Sequence, residues 1–210
     1  MSVPNSKSAL QGWRLLSLLS LGLLALTGVV LALQPDVAGV RLVIRLTART
    51  SLALFLLAFT AGAAARQWPG PWTHWQLRNR RYLGLGFAAS HTIHLAAIAA
   101  FASLDPAAFH GASSMGNFIT GGLAYLFIAA MSATSFDAAV AWLGPKTWGW
   151  LHRAGVHYLW LSFLFSFGRR IPMSPGYALP VVLLLLAMGL RLWPRRNSVA
   201  SGVVKARPQP

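Results

Sequence analysis

Apolar residues gather along this chain in stretches of about 20, the length that crosses hydrocarbon as a helix. They lie at 14–33, 46–65, 82–103, 118–140, 147–167 and 177–194. Pro and Gly clusters bound several of them: Gln34-Pro35-Asp36, Trp68-Pro69-Gly70-Pro71, Gly144-Pro145, Ile171-Pro172 and Pro175-Gly176, residues that stop helices and start turns. The pattern predicts an all-α polytopic membrane protein, a six-transmembrane-helix bundle over 14–194 with an N-terminal tail at 1–13 and a basic tail at 195–210. Lys7 and Arg14 precede the first span as they would in a signal peptide. Its apolar run of about 19 residues exceeds a usual signal core and no A-x-A site follows, so it is read as a helix.

Six spans put both tails on one side. That side carries Lys7, Arg14, Arg66, Arg78, Arg80, Arg81, Lys146, Arg153, Arg191, Arg195, Arg196, Lys205 and Arg207, and the other only Arg41, Arg45, Arg49, Arg169 and Arg170. The cation-rich side is expected in the cytoplasm, with the protein multi-pass in a bacterial inner membrane and both termini cytoplasmic.

Composition agrees with the lipid bilayer as the solvent: 56% of the 210 residues are hydrophobic and 10% are charged, against roughly 25% charged in an average soluble domain. The net charge of +15 would suggest nucleic acid if the cations formed one patch, but they punctuate apolar runs, so no nucleic acid is expected. With no cysteine, disulfides, thiolate metal sites, iron–sulfur clusters and thioether-linked heme are excluded. Neither G-x-G-x-x-G nor Walker A occurs and no loop is long enough for a nucleotide domain, so any electron donor is a separate molecule.

The chemistry sits in four histidines inside apolar spans: His91 and His94 in the third, His152 and His157 in the fifth. An unsatisfied imidazole is costly in hydrocarbon, so intramembrane ionisable residues usually mark a function. Both spans run in the same direction. At about 1.5 Å per residue, His91 and His94 lie roughly 15 to 20 Å beyond Arg81, and His152 and His157 roughly 9 and 16 Å beyond Lys146. Imidazoles at comparable depth on parallel helices can clamp one porphyrin as axial ligands, and without a thioether link that heme is b-type. Depth alone favours His157 opposite His91 or His94. His91 and His94 share a face, whereas His152 and His157 diverge by about 140°. The bland reading is a set of structural histidines bonded across helices. His74, in a tryptophan-rich inner loop, and His110, in an outer loop, read as interfacial.

Two blocks resemble the ferric reductase-like transmembrane domain family, whose members include the heme-binding membrane subunit of the bacterial periplasmic methionine sulfoxide reductase system. The first is Arg80-Arg81-Tyr82-Leu83-Gly84-Leu85 leading to His91 and His94, with His94 the better match to the family position. The second is Thr134-Ser135-Phe136-Asp137, then Leu143-Gly144, Trp148 and Leu151-His152-Arg153. The resemblance covers most of the chain and implies heme ligation by His94 and His152, so family and depth disagree between His152 and His157. Many members carry a second histidine further along helix five, where this chain has Phe165, which points to one heme b rather than two.

Arg153, Arg80 and Arg81 are candidates for the heme propionates if these face the cytoplasm, beside the plainer reading as topology anchors. Arg41, Arg45 and Arg49 form an outer stripe at i, i+4, i+8 suited to an acidic partner or outward-facing propionates. The tryptophans near span ends suit the headgroup level. Asp137 can bond Arg153 or a water beside a propionate, or cap the loop before the fifth span, and the structural role is the one favoured. The function expected is an electron-transfer subunit of an oxidoreductase, without its own flavin or nicotinamide domain. It would carry electrons from a cytoplasmic flavin reductase or a quinol, with quinone or FMN at the inner side, to a periplasmic oxidoreductase or other outer acceptor. A non-redox alternative is a transporter or assembly factor using the histidines for metal or protons.

Overall fold

A computed structural model describes residues 10–194. The tail residues at 1–9 and 195–210, with Lys7, Arg195, Arg196, Lys205 and Arg207, lie outside the described residues. The helices are α1 Gly12–Leu33, α2 Val37–Gln67, α3 Pro71–Arg78, α4 Arg80–Leu104, α5 Pro106–Ala112, α6 Met115–Ala133, α7 Asp137–Leu143, α8 Pro145–Gly168 and α9 Ala178–Leu192, the last entered through a 3-10 turn at Pro175–Tyr177.

Five helical segments are long and apolar enough to cross a membrane: α1, α2, α4, α6, and the turn with α9. The sixth expected span, α8, is 24 residues long but carries Lys146, His152, Arg153 and His157, and it is not among the five. The second span, expected at 46–65, extends to Val37–Gln67 because Asp36 caps it, its carboxylate accepting from the Gly39 N–H at 3.0 Å. Gly39 must be glycine there, since a Cβ would stand 1.8 Å from the Gln34 carbonyl oxygen. The fourth, expected at 118–140, stops at Ala133. The Thr134 hydroxyl bonds back to the Ala130 carbonyl and the Thr134 carbonyl accepts from the Trp148 indole at 2.8 Å. The chain then turns into α7, with Asp137 in the first turn, where a carboxylate suits the helix dipole. Gly144, at φ +75°, makes the left-handed turn into Pro145 at the start of α8. The tryptophan-rich loop is itself mostly helix, α3.

Both ends of the described chain lie at one end of the bundle, hereafter the terminal end. Gly12 N–H donates to Asn79 Oδ1 at 2.9 Å, Gln67 Nε2 to the Pro194 carbonyl at 2.8 Å, and Arg81 pairs with Asp137 at 3.0 Å. At the opposite end Arg169 donates to Asn117 Oδ1 at 2.6 Å.

The core is aromatic and centres on α2, where Phe55 and Phe59 meet Phe87 of α4 and Phe163 of α8. Between α2 and α4 runs a buried polar seam. Ser51 Oγ donates to Ser90 Oγ at 2.9 Å, and Thr50 Oγ1 lies 3.0 Å from the same atom. Small hydroxyl residues let two helices approach and satisfy each other away from water.

Candidate heme site

The four histidines do not converge on one point. His91 and His94 stack at 5.2 Å between ring centroids, as their three-residue spacing on one helix face requires. His94 Nδ1 lies 2.9 Å from Thr47 Oγ1 and 3.1 Å from the Ile44 carbonyl oxygen. A carbonyl only accepts, and the Thr47 hydroxyl hydrogen goes to the Val43 carbonyl at 2.7 Å, so His94 carries its proton on Nδ1. Its Nε2 therefore keeps a bare lone pair, the arrangement by which a backbone carbonyl orients a metal-binding imidazole.

His91 is the opposite case. Its ring is walled by Phe87 and Tyr125 at 5.2 Å and by Phe163 at 5.9 Å, and its buried Nδ1 has no hydrogen-bond partner. An orphaned buried nitrogen in an aromatic cage demands a ligand or a bond that protein atoms do not supply.

His152 stands in the wall of a cavity of about 330 Å³ near the terminal end. Its Nε2 donates to Thr134 Oγ1 at 3.1 Å, because the Thr134 hydrogen is committed to Ala130. Its ring stacks 4.4 Å from that of Trp148. Ligation through Nε2 therefore requires the ring to leave Thr134. His157 is exposed, and its Nδ1 donates to the Arg153 carbonyl of its own helix at 2.7 Å.

The depth expected from sequence is not the depth observed. His91 packs on Phe163, eleven positions beyond His152 on α8, so at 1.5 Å per residue the two levels differ by roughly 16 Å. His152 lies near the start of α4, within electrostatic range of Arg80. His157 is nearer in level to His91, but its ring turns toward Phe59 of α2.

The cavity runs upward from Trp148, Arg81 and Ser135 to Phe87, Ile128 and Leu159. Gly84 lines one side, with nothing within 4 Å of where a Cβ would stand. Since Phe87 both lines the cavity and touches His91, His91 is the α4 imidazole nearer to it. Four arginines line it too: Arg80, Arg81, Arg153 and Arg191. Aromatic and aliphatic walls, an imidazole in the wall, an orphaned imidazole nitrogen above and cations at the mouth fit a flat apolar macrocycle bearing carboxylates.

Of the roles open to Asp137, the bond to Arg153 is not made: Asp137 stands in the first turn of α7 and pairs with Arg81, which also donates to the Ser135 carbonyl at 3.1 Å. Arg45 and Arg49 are exposed and Arg41 lies over the Phe101 ring at 5.5 Å. His74 and His110 are exposed on α3 and α5. Thr47 and the part played by Arg191 escaped the sequence reading, and Thr134 and Gly84 entered it only as members of the two motif blocks. A threonine in an apolar helix carries no mark of the histidine it will meet in another, and Arg191 looks like any cation ending a span.

No protein-family model matches the chain, and no solved structure does. Two curated proteins are similar to it. The protein-methionine-sulfoxide reductase heme-binding subunit MsrQ of Ralstonia nicotianae is 33% identical over 149 residues, 64% of this chain and 66% of the relative. The MsrQ of Azospira oryzae is 34% identical over 148 residues, 60% of this chain and 59% of the relative. The matched stretch thus spans less than two thirds of either curated relative's length, 66% of one and 59% of the other. Both relatives are heme-binding subunits by name, as the two histidine blocks led us to expect.

Proposed function

We propose that this chain is a membrane-embedded b-type heme protein, an electron-transfer subunit that carries electrons from a donor at the terminal end to an acceptor at the opposite face. The terminal end is cytoplasmic on this reading, since it gathers most of the cations, and the membrane is a bacterial inner membrane. The supporting observation is the cavity itself, with His152 in its wall, His91 unpartnered above Phe87, and arginines at its mouth.

His152 of α8, in the cavity wall, is the first donor for the iron; His91 or His94 of α4 stands roughly 16 Å further along the bundle and completes the pair only when α4 and α8 slide along one another. His94 is preset with Nε2 bare, His91 stands nearer the cavity, and His157 is bonded back to its own helix. When bound, heme supplies reversible one-electron chemistry and the protein sets its position and surroundings. The apolar walls exclude water and the arginines face the carboxylates. One heme is proposed, since Phe165 is exposed where a second α8 ligand would be needed.

The donor is a cytoplasmic flavoprotein or a membrane quinol, with quinone or FMN held at the inner side. The acceptor is a periplasmic oxidoreductase, by analogy with the methionine-sulfoxide reductase systems that give the relatives their names. Purified protein from heme-replete cells should show a Soret band and a sharp reduced α band. His152→Ala and the double variant His91→Ala/His94→Ala should each lose most of the pigment. Colourless wild-type protein, or pigment that survives removal of all three imidazoles, would sink this reading and leave the non-redox alternative.

A further inference from the structure

The chain has only three acidic residues, Asp36, Asp105 and Asp137. Asp36 and Asp105 cap α2 and α5 at the opposite end, accepting from Gly39 and Ala108 N–H groups at 3.0 Å each. Asp137 is taken by Arg81 at 3.0 Å. Among the described residues, the remaining cavity arginines, Arg80, Arg153 and Arg191, therefore have no carboxylate to pair with. They are nonetheless held together, with Arg80 in electrostatic range of both Arg191 and His152.

Arg191 is fixed rather than free. Its guanidinium sits over the Phe59 ring at 4.3 Å and donates one N–H to the Phe59 carbonyl at 2.9 Å. Phe59 also lines the cavity, so the tether holds a planar cation with several unused donors at the cavity edge. Arg80 and Arg153 are exposed and Arg191 is half-buried, so the cluster faces the cavity mouth, where like charges gathered round one opening attract an anion.

The geometry points to a carboxylate-binding mouth in which Arg191 and Arg80, with Arg153 beside them, grip the two propionates of the porphyrin. The bound heme then has its carboxylate edge toward the terminal end. The inference rests on the heme reading above and adds its orientation, together with a binding residue from α9 that no histidine motif contains. A single acyl chain with an anionic headgroup is the competing occupant. The imidazole of His152 in the same wall favours the porphyrin, since an acyl chain has no use for a nitrogen lone pair.

The test compares hemin with its dimethyl ester, which keeps iron and ring but lacks the carboxylates, in titrations of the full-length apoprotein in detergent. Wild-type protein should bind the diacid at least about tenfold more tightly than the ester, since charge-assisted bonds are worth that much or more. Arg191→Gln and Arg80→Gln should each shrink that preference severalfold while leaving ester affinity unchanged, and Arg191→Lys should restore part of it. Arg80 has no hydrogen bond to lose, so its variant keeps the test meaningful if Arg191→Gln misfolds. Equal loss for diacid and ester, or no wild-type preference, would overturn the inference while the heme reading stood. Preference abolished by added phosphatidylglycerol would assign the mouth to lipid headgroups and overturn it also. Failure to bind either porphyrin would end both.

Discussion

Thr47 and His94 stand on different helices, 47 residues apart, with Oγ1 and Nδ1 2.9 Å from each other. The hydroxyl has one hydrogen and spends it on the Val43 carbonyl, so toward His94 it can only accept. Two acceptors on α2, the Thr47 hydroxyl and the Ile44 carbonyl, thereby decide which nitrogen of an α4 histidine is open to a metal.

If His94 ligates iron, Thr47→Val should weaken hemin binding about tenfold, at the low end of what such orienting partners contribute. Thr47→Ser, which keeps the hydroxyl, should bind as wild type does. Titration of the apoprotein with hemin, followed at the Soret maximum, checks both variants. Unchanged affinity in Thr47→Val would show that the Ile44 carbonyl suffices to orient His94 or that His94 is not a ligand, and His94→Ala in the same titration separates the two.

His157→Ala should leave bound pigment near the wild-type level. Its Nδ1 is bonded to the Arg153 carbonyl of its own helix and its ring is exposed. The pyridine hemochrome content per protein measures this, and loss of half the heme or more would return His157 to the axial positions.

Gly155→Ala should destabilise the bundle by about 1–3 kcal/mol through overpacking. An added Cβ would stand 2.7 Å from Met131 Sδ and 3.1 Å from Phe127 Cδ1, at the contact of α8 with α6. Thermal unfolding in detergent reports the loss. Because the offending atom belongs to a flexible side chain, the double variant Gly155→Ala/Met131→Ala should cost less than the sum of the single ones.

Asp137→Asn should cost less than about 1 kcal/mol, since the pair with Arg81 is solvent-exposed. Asn79→Ala should cost about 1–3 kcal/mol. Asn79 is fully buried, accepts from Gly12 N–H and donates to the Trp75 carbonyl, so its loss orphans the start of α1. Chemical denaturation of the two variants side by side should rank them in that order.

The all-helical membrane architecture, the cation-rich end and the histidine-bearing helices were legible from residues alone, because hydrophobic length and the price of a charge in lipid act locally on each segment. Of the six spans expected, five are long and apolar enough, and α8, with Lys146, His152, Arg153 and His157, is not among them. The Asp36 cap and the break at Thr134 were less so: both are short-range hydrogen bonds that apolar averaging over 20 residues erases. What only packing decided is how the helices slide and rotate against one another. That sets His91 level with Phe163 rather than with His152, turns His157 toward Phe59, joins Thr47 to His94, and brings Arg191 of the last helix to the cavity that opens at His152. Axial offset and rotation come from interlocking side chains contributed by several helices at once, such as Gly155 against Met131 and Phe55 against Phe87 and Phe163. No single stretch of sequence contains that information.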